Sequence, residues 1–325
     1  MRCRMKEILL EELMELNDEE RDILNHKGEV IKDLYTSQSN FIIESGKFLN
    51  KNKMITVRKH TRFIHFPKHR HNYIEINYVV KGTLTQTVGN ETITLKQGEL
   101  LFLNQHIEHE IKASKEQDLV VNFIIQPSFF EFIFQYLHGE NKITDFLINS
   151  LYNQTQSGQY LYFTVSEVSE IQDIIEKIWL EEKKNTLFLD STMKLYMGLL
   201  IIELAKNSDK IKQNTEVSTQ HYLVVESLKY IEDYYKTGAL HELAGKLKQS
   251  SSSLSKQIKK ATGSTYKELV QEKRLNKAKD LLETTSFPIR TIVEEVGYDN
   301  ISYFYRIFKD KYKVTPKQLR EGLVK

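Results

Sequence analysis

The order of apolar and polar residues along the chain predicts a β-rich segment between helical ones. Residues 6–25 carry leucines and isoleucines at helical spacing among acidic residues, which indicates an amphipathic helix. Between residues 54 and 125, short runs such as 73–80 and 119–125 alternate with a period of two and are rich in β-branched and aromatic residues. The Gly89-Asn90 pair between two such runs is typical of a hairpin turn. About seven strands of this kind predict a small all-β barrel or sandwich.

Helical spacing returns after residue 127. We predict helices at 129–137, 166–184 and 189–205, and the two longer ones carry apolar stripes that would pack on each other and on the barrel. The polar segment before residue 222 has no periodicity and is typical of a linker. The pattern therefore divides the chain into a helical arm at 1–50, the barrel at 51–126, a helical region at 127–207, the linker at 208–221 and an all-α domain at 222–325.

The end of the chain has the pattern of two short helices joined by a tight turn. An apolar face within residues 289–296 is followed by Gly297, which can take the left-handed conformation that ends a helix. Asp299 or Asn300 can cap a second helix, which has a polar face opposite its apolar one. That polar face comprises Ser302, Tyr305, Arg306 and Lys309. A helix, a tight turn and an exposed second helix together predict a helix-turn-helix.

The same pattern occurs once more upstream. A register offset of 50 residues lays Leu254–Lys259 over Phe304–Lys309 and Lys256 over Arg306, and such repetition predicts two copies of one unit. The polar face of the first copy comprises Ser252, Ser255, Lys256 and Lys259.

A linking helix is predicted between the two copies. Thr265 and Glu268 have the spacing of a capping box, and the helix that they open runs to about Glu283, roughly 28 Å at about 1.5 Å per residue. A helix of that length could hold two recognition helices about one DNA turn apart.

Charge is distributed unevenly along the chain. Residues 222–325 carry a net charge of +7, although the whole chain carries only +2. A basic module attached to an acidic body favours a polyanionic partner for one end alone. The single cysteine, Cys3, excludes an internal disulfide framework and indicates a reducing compartment. No apolar run is long enough for a secretory core or a membrane span, so we expect a cytoplasmic protein without a membrane partner.

From about residue 222 to residue 323 the chain resembles the DNA-binding domain of the AraC/XylS transcription regulators. The resemblance is carried by Arg274, Leu275, Ala278, Leu281, Leu282, Gly297, Tyr298, Ser302, Tyr303, Phe304, Arg306, Phe308, Lys309, Thr315, Pro316 and Arg320. Three positions depart from the family pattern, with Val293 in place of Ala and with Lys248 and Lys313 in place of Gly. These departures concern the geometry of the turns. The resemblance implies that the two polar faces, together with Asn300, contact DNA.

A second group of candidate residues lies in the predicted barrel. His69, His71 and Glu75 have the same parity on a strand, so their side chains leave one face and can converge with His109 from a neighbouring strand. Three imidazoles and a carboxylate suit a divalent metal ion. The spacing is similar to the two cupin motifs, in which these four positions bind the metal. It is also similar to the effector-binding cupin ahead of AraC-type DNA-binding domains, whose pocket commonly receives a small molecule without metal.

Three interpretations of this cluster stay open. The four residues could bind a divalent metal ion, could contact an organic effector together with Tyr73, or could form a polar interior that satisfies itself. Four basic residues surround this motif and would suit a hydroxyl-rich or anionic effector such as a sugar or sugar phosphate. They are Arg58, Arg62, Lys68 and Arg70. The rival class is a metal-dependent cupin enzyme with an accessory DNA-binding domain. No nucleophile–base pair or phosphate loop is recognisable elsewhere, so we predict no catalytic residues.

The sequence thus predicts a multi-domain protein. An N-terminal, all-β, cupin-like barrel with flanking helices would precede a C-terminal all-α domain of two helix-turn-helix units joined by a linking helix. We expect a regulator that binds double-stranded promoter DNA under the control of a small-molecule effector. The family resemblance implies activation, a homodimer formed through residues 127–207 and a contact with RNA polymerase. A repressor of the same architecture is the alternative.

Overall fold

The computed structural model of the protein describes residues 10–26, 30–50, 53–134, 136–137, 142–152, 158–184, 186–212 and 219–322. The chain forms two compact units, residues 1–217 and residues 218–325.

Two five-stranded sheets form the centre of the N-terminal unit. In chain order the strands are β1 (Ile42–Ile43), β2 (Ile55–Lys59), β3 (Phe66–His71), β4 (Ile74–Lys81), β5 (Thr83–Val88), β6 (Glu91–Lys96), β7 (Leu100–Leu103), β8 (His109–Ile111), β9 (Leu119–Ile125) and β10 (Tyr160–Phe163). One sheet has the order β1-β3-β8-β5-β6 and the other β10-β7-β4-β9-β2. Apolar side chains from both sheets, such as Leu84 and Ile111 from one and Leu103 and Ile124 from the other, share a single core. The predicted hairpin is confirmed, since Gly89 has a φ of +60° between the paired strands β5 and β6.

The sheets extend beyond the predicted limits of the barrel, 51–126, at both ends. Strand β1 comes from the predicted arm and pairs with β3 in parallel, with Ile42 opposite Arg70. Strand β10 comes from the region predicted to be helical and pairs with β7, with Tyr160 opposite Leu103. A strand of two residues is too short to show a period. The Tyr160–Phe163 segment forms a strand because its aromatic side chains suit a pleated surface.

The predicted helix at 6–25 is two helical segments in the described part of the arm. Residues 10–14 are helical, and α1 spans Asp18–His26. Asn17 separates them, because its Oδ1 accepts the Glu20 amide at 2.8 Å while the Glu20 carboxylate accepts the Asn17 amide at 3.2 Å. This reciprocal pair is a capping box, which begins a new helix. Residues 6–9 lie outside the described residues.

Glu20 also fixes the arm to the barrel. Its carboxylate accepts the Arg62 Nε at 2.8 Å and the Lys59 Nζ at 2.6 Å, and both Glu20 and Arg62 are buried. Burial alone would raise the pKa of Glu20, but the hydrogen bonds from Arg62, Lys59 and the Asn17 amide outweigh it and lower the pKa. Arg62, which sequence analysis placed among the basic neighbours of a ligand pocket, therefore has a structural partner instead.

Four helices follow the barrel strands within the described residues of this unit. They are α2 (Phe129–Ile133), α3 (Lys142–Tyr152), α4 (Ser169–Glu182) and α5 (Leu189–Lys206). The two predicted apolar stripes are confirmed, since residues such as Ile171 and Ile178 on α4 and Met197 and Leu200 on α5 are buried. Helix α4 packs against α5, and both contact β2.

The predicted linker, 208–221, is ordered at both of its ends. The Lys212 amide donates to the Tyr162 carbonyl at 2.8 Å, so the chain up to residue 212 lies beside β10. Residues from Thr219 onward already belong to the first helix of the C-terminal unit. Residues 213–218 lie outside the described residues.

The C-terminal unit is all-α in its described residues. Its helices are α6 (Thr219–Tyr234), α7 (Leu240–Lys246), α8 (Ser251–Thr262), α9 (Tyr266–Thr284), α10 (Ile289–Glu295), α11 (Ile301–Tyr312) and α12 (Pro316–Arg320). The predicted repeat is confirmed by the caps. The Ser250 Oγ accepts the Ser253 amide at 3.1 Å, and 50 residues later the Asn300 Oδ1 accepts the Tyr303 amide at 2.9 Å. Capping boxes at Thr265 and Thr315 follow the same offset.

Two lysines occupy backbone conformations that favour glycine. Lys248 has a φ of +53° in the turn after α7, and the corresponding residue of the second helix-turn-helix, Gly297, has a φ of +85°. Lys313 has a φ of +64° after α11, and the corresponding residue of the first helix-turn-helix, Gly263, has a φ of +72°. The two lysines therefore leave the turn geometry unchanged. Each of them takes a left-handed backbone conformation that is unfavourable for a residue with a Cβ.

We expect Lys313→Gly to raise the free energy of unfolding of the C-terminal unit by about 1 kcal/mol, because glycine removes the left-handed penalty. Urea denaturation of residues 218–325 would measure it. Lys309→Gly is the matched control, since the same change one turn earlier lies in right-handed helix and should cost about 0.5–1 kcal/mol. Equal destabilisation by both changes would contradict the conformation described for Lys313.

Candidate DNA-binding surface and buried histidine cluster

Helices α8 and α11 present the predicted polar faces to the surface of the C-terminal unit. Their apolar sides are buried, with Leu254 and Ile258 on α8 and Phe304 and Phe308 on α11. The predicted contact residues Ser252, Lys256, Lys259, Asn300, Ser302, Arg306 and Lys309 are exposed, and Ser255 and Tyr305 are partly exposed. One side of each helix is therefore available to a partner.

The exposed residues differ in how freely they could move to meet DNA. The Arg306 guanidinium lies 5.3 Å from the centroid of the Tyr303 ring, and no carboxylate among the described residues pairs with it. Lys259 has a partner within the unit, Glu268, at 3.7 Å. The Oδ1 of Asn300 is engaged as the cap of α11, which leaves its amide nitrogen for a contact outside. The Arg306 guanidinium and the amide nitrogen of Asn300 are thus available to a partner outside the unit.

The predicted barrel residues converge, but not from a single strand and one neighbour. His69 and His71 lie on β3, Glu75 lies on β4 in the other sheet, and His109 lies on β8, so the expectation that the first three share one strand is wrong. The imidazole of His69 lies with its centroid 4.2 Å from that of His109 and 5.0 Å from that of His71, and the His71 and His109 rings are 4.9 Å apart. The Glu75 Oε2 lies 3.7 Å from the His71 Nε2 and 4.0 Å from the His109 Nε2. All four residues are buried. The two separations from Glu75 are longer than hydrogen bonds, so these groups do not satisfy one another.

Hydrogen bonds around the cluster orient two of its imidazoles inward. The His69 Nδ1 donates to the Pro67 carbonyl at 2.8 Å, and the His109 Nδ1 donates to the Gln86 Oε1 at 2.7 Å. Each donation places the proton on Nδ1 and leaves a lone pair on Nε2. The Nε2 of His109 and both ring nitrogens of His71 are buried without a hydrogen-bond partner among the described residues.

Three amides that the sequence analysis missed complete this arrangement. The Gln86 Nε2 donates to the Asn77 Oδ1 at 2.9 Å, and the Asn77 Nδ2 donates to the Glu75 Oε2 at 3.0 Å and to the Asn122 Oδ1 at 3.1 Å. The chain of bonds from His109 to Glu75 fixes both side chains. The parity of Asn77 with Glu75 on β4 was the signal in the sequence that could have identified it.

Burial sets the protonation of the cluster. It lowers the pKa of His69 to about 4 and holds the pKa values of His71 and His109 well below the usual range, with the neighbouring imidazoles adding to the effect on these two. Burial raises the pKa of Glu75 to about 7, although the hydrogen bond from Asn77 opposes the shift. Near neutral pH the cluster therefore offers neutral imidazoles beside a carboxyl group whose ionisation is opposed by burial.

The donor set fits a divalent metal ion. His69, His71 and His109 each offer a ring nitrogen, and these atoms lie within 4.8 Å of one another. Unpartnered nitrogens, inward lone pairs and hydrogen-bonded outer nitrogens are the features of metal-binding histidines. A cavity beside the cluster, lined in part by His60, His69, Tyr73 and Glu75, has a volume of only about 20 Å³. That space suits a water molecule or an ion, whereas sites for organic ligands measure about 300–1,000 Å³.

Comparison with known proteins agrees with this architecture. Residues 53–181 match the family of AraC-like ligand binding domains, and residues 243–322 match a helix-turn-helix domain family. The HTH-type transcriptional activator RhaS of Escherichia coli is 24% identical over 261 residues, which cover 79% of this chain and 88% of RhaS.

Solved structures are similar as well. A structure of ToxT from Vibrio cholerae is 18% identical, covers 82% of this chain and 98% of that chain, and gives a TM-score of 0.32. The C-terminal domain of AraT, a response regulator from Geobacillus stearothermophilus, is 34% identical over 32% of this chain and 88% of that chain, with a TM-score of 0.31.

No helix among the described residues has the length and hydropathy needed to cross a bilayer. The two matched families follow one another along the sequence. The first match lies in the unit with the two β-sheets, and the second lies in the unit with the two helix-turn-helix repeats. The chain therefore belongs to the AraC family of transcription regulators.

Proposed function

We propose that this chain activates transcription from promoters that it binds through α8 and α11, and that ligands bound to its N-terminal unit control it. The observation that carries the proposal is the repeat of one exposed polar helix face, with matching caps, at an offset of 50 residues. The similarity to RhaS, described as an activator, supports activation over repression. An activator of this kind would also contact RNA polymerase.

The linking helix supports contact with two successive segments of the major groove. Helix α9 has 19 residues, which at about 1.5 Å per residue span about 28 Å. Recognition helices that read one face of B-DNA lie about 34 Å apart, one helical turn. On this proposal Ser252, Ser255 and Lys256 read one segment, while Ser302, Tyr305 and Arg306 read the other, and Lys259 and Lys309 contact phosphates.

We expect Arg306→Ala to reduce discrimination between a specific site and random DNA by about 1–3 kcal/mol, because arginine can form a bidentate contact with guanine. Lys309→Ala, on the same exposed face, is the matched control. It should weaken binding to all sequences alike and reduce the slope of log affinity against log salt by about one. Titrations of both DNAs at several salt concentrations would measure these effects.

Lys256, which the offset of 50 aligns with Arg306, extends the test. Lys256→Ala should alter the base-sequence preference within the DNA segment that α8 contacts. It should leave the preference within the segment that α11 contacts unchanged. The assignment of α11 as a recognition helix would be refuted if Arg306→Ala and Lys309→Ala lowered specific and random binding equally.

For the N-terminal unit we propose that His69, His71, Glu75 and His109 bind a divalent metal ion. The unpartnered buried nitrogens support an ion, since each such group is costly to bury without a partner. The ion would supply positive charge that keeps Glu75 ionised and the imidazoles neutral. The alternative, a sugar or other organic effector contacting these residues and Tyr73, would require the barrel to open well beyond the small cavity described above.

His71→Ala should remove the metal ion from protein purified without chelator, as measured by elemental analysis. An ion present at about 100 times its Kd stabilises the folded state by about 2.7 kcal/mol, so a chelator should lower the melting temperature of the wild type and leave that of His71→Ala unchanged. His65→Ala is the control, because His65 is exposed and lies outside the cluster.

The outcome separates the two ligands. The metal proposal would be excluded if the wild-type protein contained no near-stoichiometric metal and if its melting temperature did not change on addition of a chelator. If His71→Ala then abolished regulation by an added effector while DNA binding persisted, the organic alternative would stand.

We further propose that the protein is a homodimer through its helical region. An apolar stripe on and beside α5 is exposed, and it includes Phe188, Leu195 at 61% and Leu199 at 48% of their full accessible surface. Leu195 and Leu199 are four residues apart, so they share one face of the helix. Exposed apolar stripes of this kind mark protein–protein interfaces.

Leu195→Glu combined with Leu199→Glu should convert the dimer to a monomer without unfolding it, because both side chains are exposed. Sedimentation at micromolar concentration would measure the change. Lys177→Glu, at an exposed position of the neighbouring helix α4 and outside this stripe, should leave the dimer intact. A wild-type protein that sediments as a monomer both with and without DNA would refute the dimer.

A further inference from the structure

A second and much larger cavity lies on the outer side of the barrel in the N-terminal unit. Its volume is about 780 Å³, within the range of about 300–1,000 Å³ typical of sites for small organic molecules. Tyr78 and Val80 of β4 face it, whereas Glu75 and Asn77 of the same strand face the barrel interior. Helix α4 forms the opposite wall. The cavity is therefore separate from the histidine cluster.

The walls of this cavity combine an apolar floor with negative charge. Val121, Ile175 and Trp179 line it and are buried. Glu167, Asp173 and Glu176 contribute three carboxylates, and Lys81 is the one cationic residue of its lining among the described residues. A net negative lining above an apolar floor suits a ligand with an apolar body and a positive charge.

Two buried polar atoms in the walls lack a partner among the described residues. One is the Nε1 of Trp179, a residue whose accessible surface is 5% of its full value, and the other is the Oε1 of Glu176. A buried donor and a buried charged acceptor are each costly unless a hydrogen bond satisfies them. They lie three residues apart on α4, so both can meet one ligand.

The cavity wall is rigid where Gln172 joins three elements. Its Nε2 donates to the Gly98 carbonyl at 3.1 Å and to the Val165 carbonyl at 3.0 Å, and its Oε1 accepts the Tyr78 hydroxyl. Gly98 has a φ of +82°, and a Cβ there would lie 2.7 Å from that of Ser166, so the turn and the start of α4 are closely packed. A site preorganised in this way loses little entropy when it binds.

We propose that this outer cavity binds a small organic ammonium compound. The ammonium group donates to the Glu176 carboxylate, the apolar body packs on Trp179, Ile175 and Val121, and an oxygen of the ligand accepts the Trp179 Nε1. Its role as the regulatory site rests on the proposed function, in which ligands of the N-terminal unit control the protein. The cavity described beside the histidine cluster, about 20 Å³, is too small for an organic effector. Binding itself does not depend on DNA.

Trp179 is the single tryptophan of the chain, so its fluorescence reports directly on the cavity. We would titrate the full chain, without DNA, with 2-phenoxyethylamine, which has an ammonium group, an ether oxygen and a phenyl ring. Two compounds of the same shape are the controls: neutral 2-phenoxyethanol and anionic phenoxyacetate. We expect a saturable change in fluorescence with the amine, binding at least about ten-fold weaker for the alcohol, and none for the acid.

Variants locate the binding site. Glu176→Gln should weaken binding of the amine at least about ten-fold, since it removes the charge that faces the ammonium group. Glu170→Gln is the matched control, because Glu170 lies on the same helix, is exposed and does not line the cavity. Circular dichroism would verify that both variants fold.

Several outcomes would overturn the proposal. They are the absence of a saturable change at millimolar amine, equal binding of the amine and the acid, and an unaltered affinity in Glu176→Gln. Binding that required removal of residues 1–9, which carry Arg2, Arg4 and Lys6 and precede the cavity residue Leu10, would show that the cavity serves the chain's own basic segment. DNA binding is measured independently of ligand binding in this cavity. This proposal and the proposed function can therefore fail separately.

Discussion

One guanidinium group ties the C-terminal unit together. Arg274, in the middle of α9, donates to the carbonyls of Tyr235, Lys236 and Gly297, each at 2.7 Å. It thereby joins the end of α6 to the turn before α11, with charge-assisted bonds that are stronger than those between neutral groups. A Cβ at position 297 would lie 3.0 Å from the Lys236 Cα and 3.1 Å from the Arg274 Cζ, so the turn can approach closely only as glycine. The orientation of the exposed face of α11 relative to α9 follows from this contact.

The N-terminal unit depends on the opposite arrangement, polar groups held apart rather than joined. Outer hydrogen bonds fix Glu75 and the imidazole of His109, and the Glu75 Oε2 lies 3.7 Å from the His71 Nε2 and 4.0 Å from the His109 Nε2, which leaves a gap between these groups. Such a cluster destabilises the fold by itself, because burial removes the hydration of these polar groups and no hydrogen bond replaces it. We infer that the barrel retains this cluster to bind an occupant, and the small volume beside it favours an ion over an organic molecule. The larger outer cavity then provides the space that an organic ligand needs.

The sequence predicted features that depend on local periodicity and missed those that depend on distant contacts. The buried face around Phe304 and the cap at Asn300 follow from spacing alone. The convergence of His69 with His109 was predicted from the similarity to the cupin motifs, because parity relates only residues of one strand. The buried pair of Glu20 and Arg62 joins residues 42 positions apart, and neither residue has a neighbour in the sequence that reveals it. The outer cavity was missed for the same reason, since its walls come from strand, turn and helix segments that periodicity treats separately.

We infer that the two helix-turn-helix units, held by α9 and Arg274, contact one face of DNA together. Hydroxyl-radical footprinting of a bound promoter by residues 218–325 tests this inference. We expect two protected segments whose centres lie about 10 base pairs apart, on the same face of the duplex. A single protected segment, or two on opposite faces, would contradict it.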